Sequence, residues 1–378
     1  MINMIKNRLA KRIKLTSGIL NKIAKIDEFK GLWQGSLRLS PQILGRLKKS
    51  VIITSTGAST RIEGAKISDE EIARLLRGLK SRPPKGRDQE EVAGYADLLG
   101  RIFDNYKALK LTEGQILQFH SIMLKFSKKD QRHRGKYKTS DNIVIAKNEK
   151  GKEIVLFKPT PPYLVKKEID DILFWTQKQI NFLRHPTKTE DTAQEKVVFH
   201  PLLVISNFVF EFLATHPFHD GNGRLSRALT NFLLLKTGYS YIPYVSLEEI
   251  IEDNQTDYYL ALRSTQKNHK TKNENITPWV NFFLDTLIEQ SKKAKQLMEK
   301  EQPEKLLSEK QLKVYRLFDL LKTDKNETLS VLEIDKKLKG KIPKVTIKQA
   351  LSRLMELRLL ERLGRGRSIR YLKVHPVI

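Results

Sequence analysis

No cysteine occurs in the 378 residues. Disulfides, thiolate zinc sites and cysteine nucleophiles are thereby excluded. Long uninterrupted apolar runs are also missing. The most apolar stretch, 197–214, is broken by His200, Pro201, Ser206, Asn207 and Glu211. It reads as a buried core helix rather than a membrane span. Neither a glycine-rich dinucleotide loop nor a Walker lysine loop is present. Residues 1–14 are basic but lack the sustained apolar segment of a signal peptide. A cytoplasmic protein with no membrane partner is the expectation. Acids are scarce: 43 Asp+Glu face 70 Lys+Arg, for a net charge of +27. Such an excess suggests a polyanionic partner.

What is there fits a folded protein of two or three domains, with 39% hydrophobic and 30% charged residues. Residues 1–88 read as helices. Ile19, Ile23 and Ile26 lie at helical spacing, and 43–54 is a second candidate helix. Ser68 and Glu71 form a capping box ahead of Ile72, Leu75, Leu76 and Leu79. Pro83-Pro84-Lys85-Gly86 ends that helix. The core, 89–290, is also mostly helical. Within it, 142–145 and 153–156 change to a strand-like pattern and predict a β-hairpin. Thr277-Pro278 opens a further helix. Residues 291–306 are polar and read as a linker or a solvated helix end.

The stretch from His216 to Arg227 concentrates the chemistry. It reads His-Pro-Phe-His-Asp-Gly-Asn-Gly-Arg-Leu-Ser-Arg, between two apolar runs. Glycines flanking an Asn at a helix start make a backbone nest for an anion. Asp220 can hold a hard cation through oxygen, and Arg224 and Arg227 can hold phosphate oxygens. His216 can take a proton near neutral pH.

This stretch resembles the signature of the Fic family, His-x-Phe-x-(Asp/Glu)-Gly-Asn-Gly-Arg-x-x-Arg, at all eight specified positions. The resemblance implies transfer of AMP from ATP to a hydroxyl side chain of a protein. It implies that His216 is the general base and that Asp220 binds Mg²⁺. By the same likeness Gly221, Asn222 and Gly223 form the anion hole, and Arg224 and Arg227 contact the triphosphate. A phosphate-transferring subgroup has lysine in place of the second glycine. Gly223 is retained here, which favours AMP transfer. The hairpin stands where the family has its flap, which pairs with the target as an added strand.

Upstream, Ser59 to Gly64 matches the family's inhibitory pattern, (Ser/Thr)-x-x-x-Glu-(Gly/Asn). The resemblance implies that Glu63 pairs with Arg227 and blocks the productive triphosphate pose. The same glutamate could instead orient water for AMP removal, so a de-AMPylase is an alternative. Another is a DNA-binding regulator whose core only senses nucleotide; the intact His216 argues against it.

Residues 307–378 read as a separate small domain of three helices and a basic hairpin, resembling a winged helix-turn-helix. From 341 to 378 there are ten Lys+Arg against two acids, a density that fits phosphate-backbone contact. The candidate DNA-binding residues are Lys344 and Lys348 on the third helix, with Arg365, Arg367 and Arg370 on the wing. The expected whole is mainly α: a helical Fic core with a small β-hairpin flap, plus a C-terminal winged helix-turn-helix. The expected division is an N-terminal helical region at 1–88, a catalytic core at 89–290, a linker at 291–306 and a winged-helix-like domain at 307–378. Expected partners are a target protein or the chain itself, DNA through 307–378, and a second copy of the chain.

Overall fold

Isoleucine spacing and the caps read from sequence set the first helices. Helix α1 (Ser17–Gly35) buries Ile19, Ile23 and Ile26. Helix α2 (Pro41–Ile62) runs well beyond the stretch expected from its apolar residues. Its second half buries Ser55, Thr56, Ser59 and Thr60, a polar face that apolar periodicity does not detect. Helix α3 (Asp69–Gly78) starts on the Ser68–Glu71 capping box. Helices α4 (Arg87–Asn105) and α5 (Glu113–Met123) follow, and Thr112 caps the second.

The strand-like residues pair as β1 (Val144–Lys147) and β2 (Glu153–Phe157). They run antiparallel, with Ile145 opposite Val155 and a bulge beside Val144. Next come α6 (Pro162–Arg184), α7 (Pro201–Thr215) and α8 (Asn222–Lys236). The apolar run expected from residue 197 is helical from Pro201, where His200 caps and Pro201 occupies the first turn; residues 197 and 198 lie outside the described residues. Every residue from Leu202 to Thr215 is buried. A helix apolar on all sides belongs at a core centre, and α7 packs against both α6 and α8. Helices α9 (Leu247–Asp253), α10 (Gln255–Gln266) and α11 (Thr277–Lys300) complete this region.

The C-terminal elements are α12 (Glu309–Arg316), β3 (Thr328–Leu329), α13 (Val331–Lys337), α14 (Lys344–Glu356), β4 (Leu360–Leu363) and β5 (Arg370–Lys373). Their antiparallel sheet has the order β3-β5-β4. Val314, Ile334, Ile347, Leu351 and Leu354 form the core beneath it.

The computed structural model describes residues 8–9, 11–35, 39, 41–79, 81–147, 153–184, 199–300, 307–318, 328–357 and 359–374. The hairpin connection at 148–152, Leu320, Leu321 and the tail from 375 lie outside them, as does 301–306; before it, residues 291–300 continue α11 as helix. By contacts the chain divides into two compact units: residues 1–27 with 50–291, and residues 28–49 with 292–378. Among the described residues no helix is long and apolar enough to cross a membrane.

Candidate active site

The loop between α7 and α8 carries the motif, and its shape follows from its residues. His216 ends α7 in the left-handed region, φ 50° and ψ 61°, with its N–H on the Phe212 carbonyl. That conformation is uncommon without glycine. Phe218 is buried and stacks on His120, with ring centroids 3.8 Å apart. The Asn222 side chain grips the Phe218 backbone twice: Oδ1 accepts its N–H at 2.9 Å and Nδ2 donates to its carbonyl at 2.8 Å. Asn222 thus shapes the loop from inside. Gly221 precedes the first turn of α8 with φ +79°.

The charged residues converge on the N-terminus of α8. Asp220 Oδ1 accepts from the Gly221 N–H at 2.6 Å and faces Arg224 Nη2 at 3.3 Å. Burial opposes the Asp220 charge, but Arg224 and the Gly221 N–H outweigh it and hold the pKa below its usual value. Arg224 is buried and also pairs with Glu91 at 2.9 Å. Arg227 is buried too. Its Nε donates to Ser59 Oγ at 2.9 Å, and its Nη2 donates to the Ser59 carbonyl and to Glu63 Oε1, each at 2.8 Å. Burial works against the Arg227 charge, and Glu63 with neighbouring Tyr258 and Tyr95 raises its pKa regardless. Burial lowers the His216 imidazole to about 4, and Lys138 adds to the effect. The neutral ring needed to accept a proton is therefore its state at pH 7.

The end of α2 is built to deliver Glu63. Gly64 N–H bonds to the Arg61 carbonyl and Ala65 N–H to the Thr60 carbonyl. This is a Schellman closure, and it requires the positive φ of +95° that Gly64 adopts. Arg61 clamps the same end. Its Nε donates to Glu252 at 2.6 Å and its Nη1 to Asp69 at 2.9 Å. The Glu63 carboxylate then lies over Gly223. A Cβ there would fall 2.2 Å from Glu63 Oε1, so only glycine lets the carboxylate come this close.

Loop, arginines, Asp220 and the Ser59–Glu63–Gly64 segment therefore meet at one place, from positions more than 150 residues apart in the case of Ser59 and Glu63. Three supporting residues carry no motif and were not read from sequence. His120 accepts the Gly135 N–H at Nδ1, 2.9 Å, so its Nε2 donates to the Asp220 carbonyl at 3.1 Å. Lys138 reaches the Thr215 carbonyl. Arg87 binds Glu91 at 2.7 Å and stands 3.9 Å from Asp220. The candidate DNA-binding residues lie elsewhere. Lys348 and Arg365 are exposed, and Lys344 lies 3.4 Å from Asp335. Arg370 is committed within the domain, to Thr328 and Glu333 at 2.6–3.0 Å. The Arg367 side chain lies outside the described residues.

Helices α7 and α8 thus hold the 216–222 loop between them, with His216 at its start and the Gly221–Asn222 turn at its end. Residues 110–234 match the Fic/DOC family. Over 150 residues the chain is 25% identical to a probable protein adenylyltransferase of Aquifex aeolicus, covering 39% of each protein. Over 93 residues it is 31% identical to the protein adenylyltransferase Fic of Aedes aegypti, covering 25% of this chain and 16% of that one. The chain thus spans well under half the length of these curated relatives. The fold is similar to that of a Fic family protein from Desulfovibrio desulfuricans, with TM-score 0.58, 23% identity, and 96% of this chain and 98% of that one covered. It is also similar to Fic-1 of Caenorhabditis elegans, with TM-score 0.54, 18% identity, and 79% of this chain and 74% of that one covered.

Proposed function

We propose that the chain is a protein adenylyltransferase restrained by its own Glu63. One observation carries the reading: a carboxylate of the same chain sits at the N-terminus of α8, over Gly223 and on Arg227. A site that takes a carboxylate oxygen there offers the N–H dipoles and guanidinium that a phosphate oxygen needs. In this reading Glu63 stands in for an oxygen of the triphosphate and must leave before ATP binds productively. His216 then takes the proton of a Tyr, Thr or Ser hydroxyl. The hydroxyl oxygen bonds to the α-phosphorus as the bond to pyrophosphate breaks, in line. Arg224 and Arg227 balance the charge on the departing pyrophosphate. Incubation with labelled ATP tests this directly: covalent label on protein supports transfer, and its complete absence from both the wild type and Glu63→Gly opposes it.

Asp220 fits a Mg²⁺ ligand by its own chemistry. Gly221 and Arg224 engage one carboxylate oxygen, Arg87 stands 3.9 Å from the other, and the side chain keeps 32% exposure. Mg²⁺ takes few protein carboxylates and keeps phosphates and water as its other ligands. Bound there, it would neutralise phosphate charge. The Asp220→Ala variant is expected to lose transfer together with its response to Mg²⁺. A variant titrating with Mg²⁺ like wild type would place the ion elsewhere.

We propose a second function for 307–378. The β3-β5-β4 sheet beside α12, α13 and α14 supports the winged-helix reading, and Lys348 and Arg365 are exposed on it. We read this part as a DNA-binding module. Deleting 307–378 should leave AMP transfer intact and weaken DNA retention, with a flatter dependence on salt as phosphate contacts are lost. Equal retention at every salt concentration would assign the polyanion surface to another part of the chain.

A further inference from the structure

The turn at His216 is held from a segment that carries no family motif. Lys138 is buried, with 3% exposure. Its ammonium donates to Asn142 Oδ1 at 2.6 Å and to the Thr215 carbonyl at 3.4 Å. Its backbone N–H donates to the Pro217 carbonyl at 2.9 Å. Thr139 N–H donates to His219 Nε2 at 3.3 Å, and Asn142 Nδ2 donates to the Phe218 carbonyl at 3.1 Å. Residues 138–142 therefore tether the loop on both sides of His216.

Two physical reasons make this tether matter. A non-glycine residue at φ 50° persists only where its surroundings over-determine it. Thr215 also ends α7, where free carbonyls favour a cation. The opposite side is fixed as well. Thr215 Oγ1 donates to Glu168 Oε2 at 3.4 Å, and Glu168 accepts from Thr160 and from Lys270, each at 2.5 Å. Beyond Asn142 the chain enters β1 at Val144. The tether and the hairpin are thus one continuous piece of backbone.

We propose that Lys138 is a positioning residue, which fixes the His216 turn in register with the β1–β2 hairpin. Any added strand on that hairpin would then meet the imidazole at a set distance. The kinetic consequence rests on the transferase reading; the structural consequence does not.

The test compares Lys138→Met and Lys138→Arg, each in the Glu63→Gly background. Labelled ATP at saturation reports self-modification, and a fluorescent ATP analogue reports affinity. Lys138→Met should lower the rate roughly 10- to 100-fold, as expected for a misplaced reacting group, with affinity within about twofold. Lys138→Arg keeps the charge and the donors and should recover most of the rate. The charged groups facing His216 are Lys138, Glu63 and Asp220. Nitrogen NMR of the imidazole, without nucleotide, should show His216 neutral down to about pH 5 in the parent and protonating at higher pH in Lys138→Met. Asn142→Ala, which releases the ammonium from its partner and the Phe218 carbonyl from its donor, should lower the rate in the same way and serves if Lys138→Met fails to fold. An unchanged rate in folded Lys138→Met, or no rescue by arginine, overturns the proposal. Should the parent transfer no AMP, the transferase reading fails alone, and an unchanged imidazole titration overturns the positioning role separately.

Discussion

Glu63→Gly is expected to incorporate more labelled AMP from Mg-ATP than the wild type, by roughly ten- to a hundredfold, equivalent to about 1.4 to 2.7 kcal/mol. The size follows from what the carboxylate does. It engages Arg227 at 2.8 Å, and the guanidinium is 2% exposed, so a charge-assisted bond there is stronger than a surface pair. Removing Glu63 frees Arg227 and the first turn of α8 together. Glu63→Gly/Arg227→Ala should lose the gain, because in the proposed mechanism the freed arginine is what the triphosphate needs. Label incorporation in wild type, single and double variants separates the cases. Equal labelling of wild type and Glu63→Gly would leave the ion pair a structural detail of the α2 terminus.

His216→Ala is expected to abolish detectable transfer in the Glu63→Gly background, a loss of about 10²–10⁴-fold, typical of a removed general base. ATP affinity should change little, because in the proposed mechanism the imidazole acts on the hydroxyl and not on the nucleotide. A parallel loss of affinity and rate would contradict the role. The pH profile gives an independent check. Burial lowers the His216 pKa to about 4 from an ordinary value of 6.5. The base is neutral above that value, so the rate stays level from pH 7 to about 5 and falls below it. The same displacement affects stability. The unfolded imidazole binds its proton first, so this contribution is complete above pH 6.5 and is lost as pH falls towards 4. An acid limb centred near 6.5 would mean a solvated imidazole.

The motif was legible because its parts are adjacent in the chain. Residues 216–227 specify a turn, a helix start and their own charges, and the site is largely that turn. Ser59, Glu63 and Gly64 were legible as a pattern, though not the clamp that aims them. Arg61, which holds the end of α2 to Glu252 and Asp69, resembles any solvated helix arginine in sequence. His120 and Lys138 were invisible for a different reason. Their partners lie 100 and 77 residues away, and no local period records such a meeting. The capping box at Ser68 was local and found; the Thr112 cap emerged only with the structure. The grouping of 28–49 with 292–378 depends on packing between distant segments, which composition does not encode.

The Glu63–Arg227 pair joins two residues of one chain, so its formation is a unimolecular equilibrium. Dilution does not weaken it, and a more concentrated preparation is no more restrained. Under the proposed restraint ATP would compete with a carboxylate at fixed effective concentration, and its apparent affinity would fall by the fraction of molecules with the pair open. Raising the nucleotide concentration would then titrate the restraint away without any second effector. Ionic strength has a smaller hold on it. Glu63 is 36% exposed, but its partner is not, and mobile ions screen a half-covered pair far less than a surface one.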